Sequence, residues 1–248
     1  MSNRDMALMR LSDIGEAIGL LTRLPVQLDG APRGAAAAWA YPIAGLAVGL
    51  IGACVAWLTM GFHPVLNAGL TLAVMTIVTG ALHEDGLADT VDGLWGGWTA
   101  ERRLEIMKDS HIGTYGVLAL IFSVVLRWAA LVVIADQGSL WPIVLVLATL
   151  SRAPMVAVMH VLPNARTSGL SSSTGRPSAQ TTGLGLGLAA VLAFVALGFS
   201  GAGLVLLLGV TTFAIIAIAA RKIGGQTGDI LGATQQVSEI AVLIFLLT

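Results

Sequence analysis

The feature that most constrains this chain is a series of apolar runs, nearly free of charge and close to the length of a bilayer crossing. A helix needs about 20 apolar residues to span the hydrocarbon core. The chain is 56% apolar and only 11% charged, with a mean hydropathy of +0.87, which is outside the range of soluble domains. We therefore predict an all-α, polytopic membrane bundle with about seven transmembrane helices. They are expected at residues 36–60, 64–82, 112–135, 139–160, 181–199, 202–220 and 233–248.

The segment before the first run has a different pattern. Leu11, Ile14, Ile18 and Leu21 recur at helical spacing, which predicts an amphipathic helix over 11–26 that lies at the membrane interface. Residues 1–33 are mixed and charged, which is not the pattern of a secretory signal peptide. No repeat or composition shift divides the chain. We predict one membrane domain over 1–248, with 1–34 as interfacial helix and linker.

The basic residues predict an orientation. Loops 61–63, 136–138 and 200–201 contain no Lys or Arg, whereas the segments between the other span ends are basic. The positive-inside rule therefore predicts a cytoplasmic N-terminus. This orientation also places three long polar segments, 83–111, 161–180 and 221–232, on the cytoplasmic side as active-site loops.

The first of these segments begins with an acidic motif. Four of the chain's 14 Asp and Glu residues fall within 84–92. In a helix, Asp85, Asp89 and Asp92 at i, i+4 and i+7 lie within about 60° of one another on one face. Adjacent carboxylates repel unless a cation lies among them, and hard oxygen ligands suit Mg²⁺. The motif therefore predicts a magnesium site. Glu84 is turned off that face and could orient a ligand, pair with a basic residue or face water.

Two glycine-rich segments accompany this motif. Residues 108–116 begin a span and predict an anion site, or an ordinary helix cap, through the candidate substrate-binding residues Lys108, Ser110, His111, Gly113 and Thr114. Residues 221–229 combine cations, glycines and a carboxylate. They predict a second wall with candidate substrate-binding residues Arg221, Gly225, Thr227 and Gly228. Asp229 is a candidate metal ligand or general base.

Four further residues stand out within or beside the spans. Arg152 is expected within reach of the pocket, where an Arg recognises phosphate, and Arg166 lies in the second polar segment. Glu239 is an intramembrane carboxylate, and we predict a metal ligand or the polar end of a short helix. His83 is a candidate acid–base group or a structural residue. Arg127 is expected to snorkel or to pair with Asp136.

Together these residues predict a cytoplasm-facing Mg²⁺ site that handles a diphosphate, with a carboxylate accepting a hydroxyl proton. The alternative class is a transporter, which would show polar residues or broken helices at the middle of the bilayer. No basic patch with interleaved aromatic residues is present, so we expect no nucleic-acid partner. The lipid bilayer is the expected surrounding.

Four segments of this chain resemble one known family. HEDGLADTVDGLWGG, ERRLEIMKDSHIGTYGVLAL and GGQTGDILGA occur in order, with LLTRLPV near the N-terminus. They are similar to the cobalamin synthase family, the adenosylcobinamide-GDP ribazoletransferases, from about Leu20 onward. The resemblance implies a Mg²⁺-dependent inner-membrane enzyme that joins adenosylcobinamide-GDP to α-ribazole or its 5′-phosphate, giving adenosylcobalamin or its phosphate and GMP. A homo-oligomer and other late cobalamin-pathway enzymes are further partners that it suggests.

The resemblance also suggests roles. Asp85, Asp89 and Asp92 would hold Mg²⁺ on the diphosphate, and Arg152 or Lys108 would balance its charge. Asp229 or Glu84 would act as base. The chain departs from the expected pattern at Glu84, where an apolar residue is expected, and at His111, where an Arg is expected. The alternative functions are a phospholipid head-group transferase of the CDP-alcohol type, whose full D-x2-D-G-x2-A-R motif is lacking, and a divalent-metal transporter.

Overall fold

The computed structural model describes residues 8–28 and 30–248, so Arg4 and the rest of 1–7 lie outside it. The described residues form α-helices, one short 3₁₀ helix and an isolated bridge between Asn164 and Gln226. This confirms the predicted all-α fold. The helices are α1 (Leu11–Leu21), the 3₁₀ helix (Gly34–Ala40), α2 (Tyr41–Leu58), α3 (Pro64–Thr79), α4 (Leu82–Gly96), α5 (Ala100–Ile106), α6 (Thr114–Asp136), α7 (Leu140–Leu150), α8 (Ala153–Val161), α9 (Leu170–Thr174), α10 (Ala179–Leu197), α11 (Ser200–Ile223) and α12 (Gly228–Leu246).

Within the described residues, six helical segments are long and apolar enough to cross a membrane. They are Gly34–Leu58, Thr114–Asp136, Leu140–Val161, Ala179–Leu197, Ser200–Ile223 and Gly228–Leu246. The chain is therefore a multi-pass membrane protein. The predicted second span differs: α3 passes the same test only together with α4, and the two helices meet at 84°.

The bend between α3 and α4 has a local backbone cause. Gly80 and Ala81 both adopt left-handed φ angles, 63° and 56°, which end α3 and redirect the chain. Ala81 is the one non-glycine residue with a positive φ in the described part of the chain. A left-handed alanine is strained, so the surrounding contacts hold this turn in place. The predicted loop 83–111 is consequently mostly helix, because α4 and α5 occupy it.

The interior of the bundle relies on small residues and one interrupted span. Gly45, Gly49 and Gly52 of α2 pack directly on α7; a Cβ at Gly49 would lie 3.1 Å from the Cα of Leu145. The span Leu140–Val161 is broken between α7 and α8, because Pro154 has no N–H to continue the helix. One apolar core cluster lies around α2, α3 and α7, and a second lies around α1, α8 and the start of α12.

Helix α1 is docked against the bundle through a polar contact that its pattern did not predict. Asp13 is fully buried and accepts hydrogen bonds from Trp39 Nε1 at 2.7 Å and from the Arg33 guanidinium. Glu16 accepts from the backbone N–H of Arg33 and of the following glycine. Leu11, on the predicted apolar face, is 88% exposed and does not pack against the bundle. The buried positions are Asp13, Ala17 and Leu21.

Candidate active site

A cavity of about 280 Å³ opens at the end of the bundle where α2 and α12 begin and α8 ends. Its wall joins three of the predicted segments: the start of α4, the loop after α8, and the turn before α12. Of the predicted site residues, His83, Asp85, Lys108, Arg166, Thr227, Gly228 and Asp229 line this cavity. We refer to it as the pocket.

The acidic helix reaches the pocket by crossing α12 closely. Gly86 of α4 lies against Gly232 of α12, and a Cβ at Gly86 would lie 2.9 Å from the backbone oxygen of Asp229 and 3.1 Å from the Cα of Gly232. Only glycine fits such a crossing without moving a helix. The contact brings Asp85, in the first turn of α4, into the same wall as Asp229, in the first turn of α12.

Asp229 faces a cation across the pocket. Its Oδ2 accepts hydrogen bonds from the Arg166 guanidinium and, at 3.1 Å, from the hydroxyl of Thr227. Thr227 also caps α12, because its hydroxyl accepts from the backbone N–H of Ile230. Asp89 is half-buried within electrostatic range of Asp85, Asp229 and Arg166. Carboxylates therefore outnumber the guanidinium at this site.

The two loops of the wall are joined to each other. Ala165 N donates to Gln226 O at 2.9 Å, and Gln226 N donates to Pro163 O at 2.8 Å. The Gln226 side chain is further bonded to Asn164 and Ser171. The predicted binding residue Gly225 packs closely against this bridge, and a Cβ at Gly225 would lie 2.9 Å from Ala165 N. Arg166 is thereby held on an anchored loop.

Asp92 has a different environment from Asp85 and Asp89. Its Oδ2 accepts from Gly113 N at 2.7 Å and its Oδ1 from Gly116 N at 2.8 Å. The carboxylate therefore caps the N-terminus of α6, where free backbone N–H groups favour an anion. Gly113 contributes its N–H to this cap. The helical spacing of the three Asp residues is as predicted, but the side chain of Asp92 is already engaged by the protein.

Four predicted residues form a second cluster beneath the pocket, together with Arg127. Arg127 is 2% exposed and binds Glu84 Oε1 at 3.1 Å and Glu239 Oε2 at 2.9 Å. Arg152 is 1% exposed, donates to Ala148 O at 2.6 Å and lies 3.9 Å from Glu239. Glu84, Glu239 and Arg152 are thus placed below the pocket and not in its wall, and Arg127 pairs with them and not with Asp136. His83 lines both regions.

The remaining predicted binding residues lie around the mouth of the pocket or outside it. Lys108 is exposed, with its Nζ 3.5 Å from Ser168 Oγ. His111 is exposed and its ring Nδ1 lies 2.7 Å from Asp109, a hydrogen bond that lowers the pKa of the Asp109 carboxyl. Ser110, Thr114 and Arg221 are also exposed and do not line the pocket.

Sequence reasoning missed much of the pocket wall. The missed residues are Leu20, Leu21, Tyr41, Leu82, Met155, Met159, Asn164, Ser168, Gly169, Leu170, Ser171, Ser172, Thr174, Gln226, Leu231 and Gly232. Its apolar members are indistinguishable in sequence from residues that pack within the bundle. Gln226 lies inside the predicted glycine-rich segment, between the candidate residues Gly225 and Thr227. That position was the one indication in the sequence that Gln226 could belong to the site.

The donor chemistry of the acidic wall fits a magnesium ion that substrate phosphates help to hold. In the described residues, no three His, Cys, Asp or Glu side chains are grouped closely enough to hold a metal by themselves. Mg²⁺ in phosphate-handling sites is commonly bound by one or two carboxylates, with substrate oxygens and waters completing the shell. Asp85 and Asp89, one helical turn apart, match that donor set.

The fold and the pocket define a multi-pass, all-α membrane enzyme with an acidic and cationic site at one end of its bundle. A family model described as cobalamin-5-phosphate synthase matches residues 13–247. The chain therefore belongs to the cobalamin-5-phosphate synthase family.

Curated relatives cover nearly the whole chain. A protein of Bradyrhizobium diazoefficiens is 46% identical over 94% of this chain and 92% of its own length. One of Mesorhizobium japonicum is 44% identical, again over 94% and 92%, and one of Sinorhizobium medicae is 43% identical over 93% and 94%. All three carry the name adenosylcobinamide-GDP ribazoletransferase. No solved structure matches the chain.

Proposed function

We propose that this chain is an adenosylcobinamide-GDP ribazoletransferase. It would join adenosylcobinamide-GDP to α-ribazole or α-ribazole 5′-phosphate and release GMP. The observation that carries the proposal is a pocket walled by Asp85, Asp229, Arg166 and Lys108 in a chain 46% identical to a relative of that name. The family match does not favour the head-group transferase or the transporter.

The wall suits transfer at a diphosphate. The ribose hydroxyl of the acceptor attacks the phosphorus attached to the cobinamide arm, and the bond to the GMP oxygen breaks. Arg166 and Lys108 balance the charge of the phosphates, since guanidinium and ammonium groups bind phosphate oxygens. Asp229 takes the hydroxyl proton once the phosphates draw Arg166 away from it.

Asp85 and Asp89 are the residues that would hold Mg²⁺. Bound there, Mg²⁺ would supply positive charge against the diphosphate. We place the pocket on the cytoplasmic face of the inner membrane, because the Lys- and Arg-free loops all lie at the opposite end of the bundle. Its nucleotide substrates would then reach it from the cytoplasm.

The test uses detergent-purified protein with adenosylcobinamide-GDP, α-ribazole 5′-phosphate and Mg²⁺, and follows corrinoid product and GMP by chromatography. The wild type is expected to make both products in equal amounts. Asp89→Asn is expected to lose about 100-fold or more, as for a group that holds charge at the reacting centre. Glu105→Gln, on the exposed face of α5, is the matched control and should retain full activity. Wild-type protein that is folded yet releases no GMP would refute the proposal.

A further inference from the structure

The pocket changes character with depth. The charged residues of its wall are exposed or half-buried: Asp85, Lys108, Arg166 and Asp229. Among the buried residues of the wall, five large and mainly apolar side chains come from α1, α2, α8 and α12: Leu21, Tyr41, Met155, Met159 and Leu231. We call these five side chains the pocket floor. A site for phosphates and a metal alone has no need of an apolar floor.

The chemistry of the floor restricts what it can bind. Phosphate groups are excluded, because desolvating them against aliphatic and thioether groups is costly. What fits is one planar, apolar ring system, which packs well against flexible methionine side chains.

We propose that the pocket floor forms the binding site for the aromatic base of the acceptor nucleoside, a benzimidazole. This inference rests on the proposed function for the identity of the acceptor. A benzimidazole riboside has an apolar bicyclic base with few polar atoms, which matches an apolar floor. Guanine carries several donors and acceptors on its edge, and the floor would leave most of them unpaired.

The test measures binding separately from catalysis. Titration calorimetry with α-ribazole 5′-phosphate, and in parallel with GDP, is performed on the full-length protein in detergent without the corrinoid. Met159→Trp fills the floor and is expected to weaken α-ribazole 5′-phosphate about tenfold or more, because the base loses its buried apolar contact.

Controls separate this result from a folding defect. Val195→Trp adds the same bulk at an exposed position of α10 and should change neither affinity. Leu20→Trp, at a half-buried position of the wall, serves if Met159→Trp fails to fold. Unchanged α-ribazole 5′-phosphate affinity in a folded floor variant overturns the proposal, and so does weakening confined to GDP. Wild-type protein that binds α-ribazole 5′-phosphate but never releases GMP refutes the proposed function and leaves the floor assignment standing.

Discussion

Glu84 and Arg127 lie buried together beneath the pocket, with Oε1 of the carboxylate 3.1 Å from Nη2 of the guanidinium. The same guanidinium binds Glu239, and Gln236 also donates to Glu84. Three helices, α4, α6 and α12, therefore meet at one arginine. Because Glu84 directly precedes Asp85, this contact sets the position of the first turn of the acidic helix.

The charge balance of this cluster predicts a specific pattern of stability. Glu84→Leu or Arg127→Leu alone leaves an uncompensated buried charge, and each should lower the free energy of unfolding by about 3–5 kcal/mol. The double substitution removes one positive and one negative charge together. The charges that remain, on Arg152 and Glu239, are of opposite sign and lie 3.9 Å apart. It should be more stable than either single variant. Thermal unfolding in detergent measures this, and additive losses would contradict it.

Asp92→Asn is expected to affect stability more than metal dependence. An amide presents one acceptor oxygen where the carboxylate presents two to Gly113 and Gly116. The loss of one charged hydrogen bond should cost roughly 1.5–3 kcal/mol. The Mg²⁺ concentration for half-maximal GMP release should stay near the wild-type value. Asp85→Asn is the contrasting variant: it should raise that concentration with little change in unfolding.

The α4–α12 crossing predicts a response to one added methyl group. Gly86→Ala places a Cβ 2.9 Å from the backbone of α12, and such overpacking costs about 1–3 kcal/mol. Activity should fall as well, because the helices that carry Asp85 and Asp229 must separate. Gly187→Ala in α10 meets nothing within 4 Å and should be neutral or slightly stabilising. Equal effects of the two substitutions on unfolding would rule out the crossing as the cause.

Arg166→Lys tests the cation of the wall. Lysine keeps the charge but loses the planar fork that binds phosphate in two places. We expect the KM for adenosylcobinamide-GDP to rise about tenfold, a loss typical of one charged hydrogen bond. Arg102→Lys, on exposed α5, is the control. If Arg166→Lys changed only the KM of the nucleoside, the phosphate assignment would be wrong.

Run length and spacing predicted the spans and the helical form of the acidic motif, because both depend on local sequence. The bend at Gly80 and Ala81 was not predictable, since it falls inside an uninterrupted apolar run. The partners of Arg127 were missed for another reason. They lie 43 and 112 residues away along the chain, and no local pattern encodes such a pairing.

The residues of the candidate site were likewise predicted only in part. Asp85, Arg166 and Asp229 were found because charge is scarce in this chain and each stands in a polar segment between spans. The pocket floor escaped detection, because Met155 and Leu231 look like any residue of an apolar helix. Whether a buried apolar residue lines the pocket or packs within the bundle depends on how the helices assemble, and no local sequence pattern shows it.

The hydrogen bond between Gln236 and Glu84 joins residues 152 positions apart. The ribosome therefore makes the acidic helix long before the helix that completes its surroundings. Until α12 enters the bilayer, Glu84 and Arg127 lack Glu239 and Gln236, and Gly86 faces no partner helix. Insertion of α12 therefore supplies the partners that the polar interior and the acidic helix need, and the active site is complete only once that helix is in place.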